Sequence, residues 1–196
     1  MADTSLVALA GLGNPGPDYA RTRHNAGFWL ADRLVDSARG SFRHESKFFG
    51  ELARVRVAGT DVLVLKPSTY MNRSGQAVAA LLGFYKIPPE NLLVAHDELD
   101  LPVGTARFKF AGGHGGHNGL RDIHKPIGDQ YRRVRIGVGH PGDKNLVMHY
   151  LTDSRPSRAE EDAILQSIDR AVVAIHTWLS DGWDRATQAL HSTPAP

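Results

Sequence analysis

The spacing of hydrophobic and polar positions changes several times along the chain, and each spacing predicts an element. Short apolar or alternating runs predict strands over residues 5–10, 51–57, 62–66, 91–96, 105–110 and 133–138. Apolar side chains at helical spacing predict helices over about residues 25–38, 77–85 and 119–125. A longer amphipathic helix begins at the capping box Ser157-Arg-Ala-Glu160 and ends before Gly182.

This order of elements predicts the fold class. Strands that alternate with helices indicate a three-layer α/β/α sandwich with a twisted, largely parallel sheet. Gly59-Thr60-Asp61, between two strand-like runs, predicts a hairpin, so we expect one antiparallel edge and a mixed sheet. A length of 196 residues suits one hydrophobic core, and we expect a single domain over 1–191 and a disordered tail over 192–196.

Composition narrows the classes of protein that the chain can belong to. It has no cysteine, which excludes disulfides, thiolate metal ligands and a cysteine nucleophile, and which fits a reducing compartment. The first residues do not read as a signal peptide, and no apolar run approaches the roughly 20 residues that span a bilayer. We therefore expect a cytoplasmic protein without a membrane partner.

Charge is distributed unevenly along the chain. Basic residues outnumber acidic ones between residues 101 and 150, and acidic residues outnumber basic ones from 151 onward. A basic block of this kind is a candidate surface for a polyanion such as nucleic acid. The alternative is an ordinary solvated face, and charge alone does not decide between them.

One glycine motif suggests a nucleotide cofactor but does not fit it. Gly11-Leu-Gly13-Asn-Pro-Gly16 matches the G-x-G-x-x-G pattern directly after a predicted strand. Pro15 and Pro17 would remove amide donors where a phosphate-binding helix has to begin, and the expected acidic residue at the end of a second strand is missing. We therefore predict no dinucleotide, and interpret the motif as a tight turn that holds Asn14 in place.

Polar residues suited to catalysis follow several of the predicted strands. In open α/β sheets, ligands bind beyond the carboxyl ends of the strands, so these residues should meet at one edge, together with a glycine-rich loop at 112–119 whose backbone can approach a ligand closely. The candidate residues in these loops are Asn14, Tyr19, His24, Tyr70, Met71, Asn72, Asp97 and Asn118, all of them polar or aromatic except Met71.

The residue types at this edge point to hydrolysis of an ester by activated water. Histidine is the side chain whose ordinary pKa suits a general base, and His24 lies where a helix begins, a position whose positive end favours the free base. Asp97 could accept a hydrogen bond from the imidazole and fix its tautomer. Asparagine amides can both donate to a carbonyl oxygen and accept from an amide or a water.

Two other interpretations of these residues stay open at the level of sequence. Each of them could be a helix cap or a turn residue. A metal site is a second alternative, because His-x-x-His beside an acid resembles a ligand set, here His96, Asp97, His114 and His117. We predict no metal, because the glycines around these histidines indicate a flexible loop.

Five stretches of the chain carry a family resemblance. They are GLGNPGPDYARTRHNAGF at 11–28, KPSTYMNRSGQAV at 66–78, HDELDLPVG at 96–104, GGHGGHNGL at 112–120 and RVRIGVGHPG at 133–142. Through these stretches the chain resembles the bacterial-type peptidyl-tRNA hydrolases. The resemblance implies a monomeric α/β/α enzyme, without metal or cofactor, that hydrolyses the ester between a peptide and the 3′ end of tRNA.

The resemblance also implies roles for individual residues. His24 resembles the catalytic base, Asp97 the group that supports it, and Asn14 the residue that distinguishes a blocked from a free aminoacyl group. Lys109 and Arg135 match basic positions that would hold the terminal phosphate of the tRNA. The residues that resemble contacts to the tRNA 3′ end or the peptide are Tyr19, Tyr70, Met71, Asn72 and Asn118.

The resemblance has departures and one rival. Tyr70 stands where phenylalanine is also common, Val103 stands where proline is frequent, and the match is loose from residue 151 onward. The alternative function is a non-catalytic RNA-binding protein in which the basic block grips phosphates and the histidine and asparagines are structural.

Overall fold

The computed structural model describes residues 6–192, and its elements follow the predicted order with a few additions. The strands are β1 (Val7–Gly11), β2 (Arg43–Glu45), β3 (Gly50–Val57), β4 (Thr60–Pro67), β5 (Leu92–Glu98), β6 (Ala106–Phe110) and β7 (Arg132–Gly137). The α-helices are α1 (Ala26–Ser37), α2 (Ser74–Tyr85), α3 (Asn118–Ile127), α4 (Arg158–Asp181) and α5 (Trp183–His191). Short helical turns lie between them, at Arg23–Asn25, Ser46–Phe48, Met71–Arg73, Pro89–Asn91, Lys144–Leu146 and His149–Asp153.

The strands form one mixed sheet in the order β2-β3-β4-β1-β5-β7-β6. The four central strands, β4, β1, β5 and β7, pair in parallel. The predicted hairpin is confirmed as β3 and β4, and β2 extends that antiparallel edge. The other edge, β6 against β7, is antiparallel as well, which the sequence did not indicate because the pattern within a strand does not record the direction of its neighbour.

Helices cover both faces of the sheet and bury the alternate sides of its strands. In β1, Val7 and Leu9 pack in one core with α1, α4 and α5, whereas Ala8 and Ala10 pack in the other with α2 and α3. This alternation follows from the two-residue period of a strand. The predicted three-layer α/β/α class is therefore confirmed.

The C-terminal helices show where the sequence pattern succeeds and where it stops. The predicted capping box is present: the Ser157 hydroxyl accepts from the Glu160 amide, and the Glu160 carboxylate accepts from the Ser157 amide. Helix α4 ends before Gly182, as predicted, but the chain continues as α5, which the sequence did not reveal. Trp183 anchors α5 by stacking on Phe108 of β6 with ring centroids 4.5 Å apart, a tertiary contact that no local pattern encodes.

Two predictions about the ends of the chain remain predictions. The expected tail at 192–196 lies outside the described residues except for Ser192, and the domain bounds of 1–191 begin outside them. Within residues 6–192, no helix combines the length and apolarity needed to cross a bilayer.

Candidate active site

His24 and Asp97 lie in direct contact at the carboxyl ends of β1 and β5. The distance from His24 Nδ1 to Asp97 Oδ2 is 2.8 Å, and both residues are only 3% exposed. A carboxylate can only accept, so Nδ1 carries the proton and donates it. The other ring nitrogen, Nε2, is left with its lone pair, and His24 lines a cavity at this edge of the sheet.

A close approach of backbone to backbone brings the two residues together. His24 lies in the helical turn Arg23–Asn25, directly before α1, and Gly27 follows in the first turn of α1. A Cβ atom on Gly27 would lie 2.3 Å from the carbonyl oxygen of Ala95 and 2.5 Å from the backbone of Leu12, so only glycine fits here. Glycine thus allows the start of α1 to lie against the ends of β1 and β5.

Arg23 anchors the same turn from the other side. Its guanidinium lies 3.8 Å from the centroid of the Tyr150 ring and donates to the Tyr150 carbonyl oxygen and to Ser154 Oγ. Arg23 is buried although its neighbours in sequence give no hint of this. The turn that carries His24 is therefore held between the sheet and the segment after β7.

Asp97 has a second imidazole partner, His117. The distance from His117 Nε2 to Asp97 Oδ1 is 2.8 Å, so each carboxylate oxygen meets one histidine. The sequence suggested His117 only as a member of a metal site in a flexible loop. The expectation that His117 lies in a flexible loop was wrong. His117 is the N-cap of α3, and its Nδ1 accepts hydrogen bonds from the amides of Gly119 and Leu120.

The electrostatics of His24 differ from the prediction. A helix start alone was expected to favour the free base. Burial acts in that direction, but the negative charge of Asp97 and its hydrogen bond outweigh burial and raise the pKa of His24 above its ordinary value. Burial of Asp97 would by itself raise the pKa of that carboxyl, but electrostatic attraction and hydrogen bonds from His24 and His117 lower it well below its usual range.

A third histidine, His96, lies beside the pair and stays neutral. Burial lowers the pKa of His96 to about 3, and the positive charge of Arg133 acts in the same direction. Its Nδ1 donates to the backbone oxygen of Asp97. Its Nε2 is buried and has no hydrogen-bond partner among the described residues.

Asn14 is held in a defined orientation next to Asn25, the residue that follows His24, and it is not among the residues that line the cavity. Its side-chain Oδ1 accepts a hydrogen bond from the backbone amide of Met71 at 2.7 Å. Its backbone amide donates to Oδ1 of Asn25, and its backbone carbonyl oxygen accepts from Nδ2 of Asn25. Because a backbone amide only donates, the atom that faces Met71 has to be the oxygen, so Nδ2 is the other atom. Within residues 6–192, Nδ2 makes no hydrogen bond and remains a donor for a ligand.

The other predicted contact residues lie around this centre at different depths. Met71 is buried, and a Cβ on Gly119 would come within 2.6 Å of its sulfur, so this loop packs tightly against the start of α3. Asn118, the first residue of α3, lines the cavity with His24. Tyr19 and Tyr70 form an edge-to-face ring pair at 6.4 Å, outside the set of cavity-lining residues, and Asn72 beside them is exposed.

The cavity is lined partly by polar and partly by apolar side chains. Its volume is about 210 Å³, and its polar lining includes His24, Asp97, His117 and Asn118. Val147, Met148 and Leu151 come from the segment after β7 and supply apolar surface. The arrangement gives a buried base next to a space large enough for a small group of a substrate.

A second cavity of about 230 Å³ adjoins the first and is basic. Lys109 and Arg135, the two predicted phosphate-binding residues, line it from neighbouring strands β6 and β7, and Arg133 joins them. Lys109 is exposed, but Arg135 is already paired with Glu98 at 2.9 Å. The sequence missed Arg133, which is buried and donates to the carbonyl oxygens of Gly112 and Gly113, so it holds the glycine-rich loop.

The suggested metal ligands do not assemble as a set. Within residues 6–192, the histidine and acidic side chains close enough to share an ion are His24, Asp97 and His117, not the group that includes His96 and His114. The atoms that these three would offer already bond to one another. His117 has no free nitrogen, because its Nδ1 caps a helix and its Nε2 faces Asp97.

Comparison with known proteins identifies the family. The model of the peptidyl-tRNA hydrolase family matches residues 8–196. This chain belongs to that family. A peptidyl-tRNA hydrolase of Halorhodospira halophila is 55% identical over 185 residues, which cover 94% of this chain and 95% of that protein. One from Neisseria meningitidis is 52% identical over 189 residues, which cover 96% of this chain and 98% of that protein.

Solved structures agree with the assignment. The crystal structure of peptidyl-tRNA hydrolase from Acinetobacter baumannii superposes with a TM-score of 0.92 at 43% identity, covering 96% of each chain. The predicted family and fold are therefore confirmed, and the family match reaches residue 196, beyond the point where the resemblance was loose. Because the relatives are named as hydrolases, the comparisons do not favour a non-catalytic RNA-binding protein.

Proposed function

We propose that this protein hydrolyses the ester that joins a peptide, or another N-blocked aminoacyl group, to the 3′ end of tRNA, and so recycles tRNA from peptidyl-tRNA released during translation. One observation carries the mechanism: His24 donates from Nδ1 to Asp97 at 2.8 Å, which leaves Nε2 as a base beside the cavity. His24 then takes a proton from a water, and Asp97 stabilises the imidazolium that forms.

The bond changes balance without an added reactant. Oxygen of the activated water attacks the ester carbonyl, the bond from that carbon to the ribose oxygen breaks, and the proton held by His24 passes to the leaving oxygen. The products are a peptide carboxylic acid, which releases its proton to solvent and becomes a carboxylate, and a tRNA with a free terminal hydroxyl. Nδ2 of Asn14 and the amide of Asn118 are donors that suit a developing oxyanion or a peptide carbonyl.

The surrounding residues support a tRNA-bearing substrate. We assign Tyr19, Tyr70 and Asn72 to contacts with the tRNA 3′ end, and Met71 to the wall that positions them. The exposed ring of Tyr70 and the partly buried ring of Tyr19 can stack on bases. Lys109 and Arg135 hold a phosphate in the basic cavity. Because Arg135 is paired with Glu98, Lys109 contributes the larger share of that attraction.

The proposal includes the remaining expectations from sequence. The protein acts as a monomer in the cytoplasm, uses no metal or cofactor, and needs no membrane partner. A chelator tests the metal part directly: activity should be the same with and without EDTA. Loss of activity in EDTA that Zn²⁺ restores would contradict it.

The test of the function is turnover of N-acetyl-aminoacyl-tRNA by His24→Asn. Asparagine keeps a donor near Nδ1, so the bond to Asp97 and the fold can persist, but it has no basic nitrogen in place of Nε2. We expect kcat to fall by at least ~10²-fold, the range for loss of a general base. The matched control is His176→Asn, an exposed histidine on α4, which should leave kcat unchanged. Near-wild-type turnover by His24→Asn would overturn the assignment.

A further inference from the structure

His117 is held at both of its ring nitrogens. Nδ1 accepts from the amide of Gly119 at 3.1 Å and from that of Leu120 at 3.3 Å, which makes His117 the N-cap of α3. Nε2 lies 2.8 Å from Asp97 Oδ1. An N-cap is usually serine, threonine, aspartate or asparagine, so a histidine there calls for a reason beyond capping.

The partners of His117 fix its tautomer. Backbone amides only donate, so Nδ1 carries a lone pair. A carboxylate only accepts, so Nε2 carries the proton. The two requirements agree on the neutral Nε2–H form, which is the opposite of the Nδ1–H form that Asp97 imposes on His24.

Asp97 is consequently clamped between two imidazoles that belong to different segments. Oδ2 accepts from His24, in the turn before α1, and Oδ1 accepts from His117, at the start of α3. Rotation of the carboxylate would break both bonds, and because Asp97 is 3% exposed, solvent would replace them poorly. The orientation of the His24 ring therefore depends on His117, although His117 need not touch the substrate.

The same ring also sets the start of α3. A Cβ on Gly119 would lie 2.6 Å from the sulfur of Met71 and 3.1 Å from Cε1 of His117, so the first turn of α3 is packed directly on these two side chains. Asn118 lies in that turn and lines the cavity.

We infer that His117 is a positioning residue with two separable functions: its Nε2–H orients Asp97, and through it the base His24, while its Nδ1 caps α3 and places Asn118 at the cavity. This inference rests on the proposed hydrolysis. The two functions belong to different ring nitrogens, so substitutions that imitate one nitrogen at a time can separate them.

The experiment compares His117→Asn with His117→Gln. The asparagine oxygen lies near the position of Nδ1 and is a good N-cap, but the side chain is too short to reach Asp97. The glutamine amide nitrogen lies near the position of Nε2 and can donate to Asp97, but glutamine is a poor N-cap. His176→Asn on α4 serves as the control for a histidine outside the site.

The inference predicts opposite effects of the two variants. His117→Asn should keep a near-wild-type Tm and lose at least ~10-fold in kcat, because a misplaced base loses alignment with its water. In a pH profile of its kcat, the fall in activity on the acid side (the acid limb) should move to higher pH. Asp97 loses one hydrogen-bond donor and attracts the proton of His24 more strongly, so the pKa of His24 rises. His117→Gln should keep kcat within about threefold and the acid limb in place, with Tm lower by about 2–4 °C from the lost cap.

Other charged groups near the carboxylate bear on that pH profile. They are His96 on β5 and, on the cavity wall, Glu98, Asp100, His114 and His140. All of them are unchanged in both variants, so a difference between the two profiles reports on position 117.

Two outcomes would overturn the inference. One is His117→Asn with wild-type kcat and an unchanged acid limb, and the other is His117→Gln losing as much kcat as His117→Asn. Nitrogen chemical shifts of the labelled histidine rings test it independently of turnover, because they must show Nε2–H for His117 and Nδ1–H for His24. If the protein proves inactive on peptidyl-tRNA while these tautomers are found, the proposed function is wrong, but the positioning of Asp97 by His117 is still supported.

Discussion

At the scale of single residues, one carboxylate selects different tautomers of the two histidines that contact its oxygens: Nδ1–H for His24 and Nε2–H for His117. Although burial opposes it, Asp97 raises the pKa of His24, which favours the proton transfer from water to this imidazole in the proposed mechanism. The other oxygen of Asp97 accepts a hydrogen bond from Nε2 of His117. Neighbouring His96 bonds only to the Asp97 backbone, and burial keeps it neutral. The sequence indicated the pairing of His24 with Asp97 because both follow parallel strands, but it could not indicate the orientation of three rings.

Asn14 offers a prediction at the same scale. Asn14→Asp keeps the oxygen that accepts from Met71 but replaces the free donor Nδ2 with an acceptor. If Nδ2 pairs with the carbonyl of a blocked aminoacyl group, the ratio of kcat/KM for N-acetyl-aminoacyl-tRNA over free aminoacyl-tRNA should fall by at least ~10-fold, since the substrate group then loses its partner. An unaltered ratio, with an unaltered Tm, would remove Asn14 from that role.

At the scale of elements, local pattern predicts what lies within a strand or helix and misses what another element imposes. All strands but β2, and the capping box at Ser157, were predicted from local pattern alone. β2 was missed because its three residues are all polar, and α5 because its anchor, Trp183, packs on a distant strand. His117 was misjudged because the glycines around it predict flexibility, whereas its bonds to α3 and β5 fix it.

Gly27 gives the prediction at the scale of elements. Gly27→Ala would place a Cβ 2.3 Å from the Ala95 carbonyl oxygen, so α1 has to move away from β5. We expect a loss of about 1–3 kcal/mol in the free energy of unfolding, the usual cost of overpacking, together with a lower kcat because His24 shifts from Asp97.

Gly83 on α2 is the matched control, because a Cβ there meets no atom within 4 Å. Gly83→Ala should stabilise α2 by up to about 1 kcal/mol and leave kcat unchanged. Urea unfolding and turnover assays of both variants measure these effects. Equal stability of Gly27→Ala and wild type would show that the close approach of α1 does not hold the base in place.

At the scale of the whole molecule, two cavities adjoin, and the proposed function places the chemistry in one and phosphate binding in the other. The first holds His24 and Asp97, and the second is lined by Lys109, Arg133 and Arg135 at the β6–β7 edge. Charge made residues 101–150 a candidate basic surface and the family resemblance singled out Lys109 and Arg135. Neither indicated that Arg135 is paired with Glu98 or that Arg133 binds the glycine-rich loop. Such pairing depends on which side chains meet across strands, and one strand's sequence does not contain it.

Lys109→Ala tests the binding function of that edge. A phosphate contact away from the ester is made equally in the ground and transition states, so KM for peptidyl-tRNA should rise while kcat changes little. The salt dependence of binding should flatten by about one phosphate contact.

Arg43→Ala is the matched control, since Arg43 is an exposed cation on β2, at the opposite edge of the sheet. It should leave KM and the salt dependence unchanged. A peptide ester on a single nucleotide lacks the phosphate, so wild type and Lys109→Ala should cleave it equally. Equal KM for full-length peptidyl-tRNA in all three proteins would remove the phosphate site from the account.

In the proposed mechanism His24 and Asp97 together activate water, and the pH dependence of kcat/KM in wild type and Asp97→Asn tests this most directly. In wild type, activity should fall as the pH drops through a midpoint above ~6.5, the ordinary value for imidazole, because Asp97 raises the pKa of the base. In Asp97→Asn, burial acts without the opposing charge, so the midpoint should move to lower pH. The plateau should also fall by at least ~10²-fold, since the amide can hold the wrong tautomer. The same midpoint and plateau in both proteins would contradict the claim that this pair activates water.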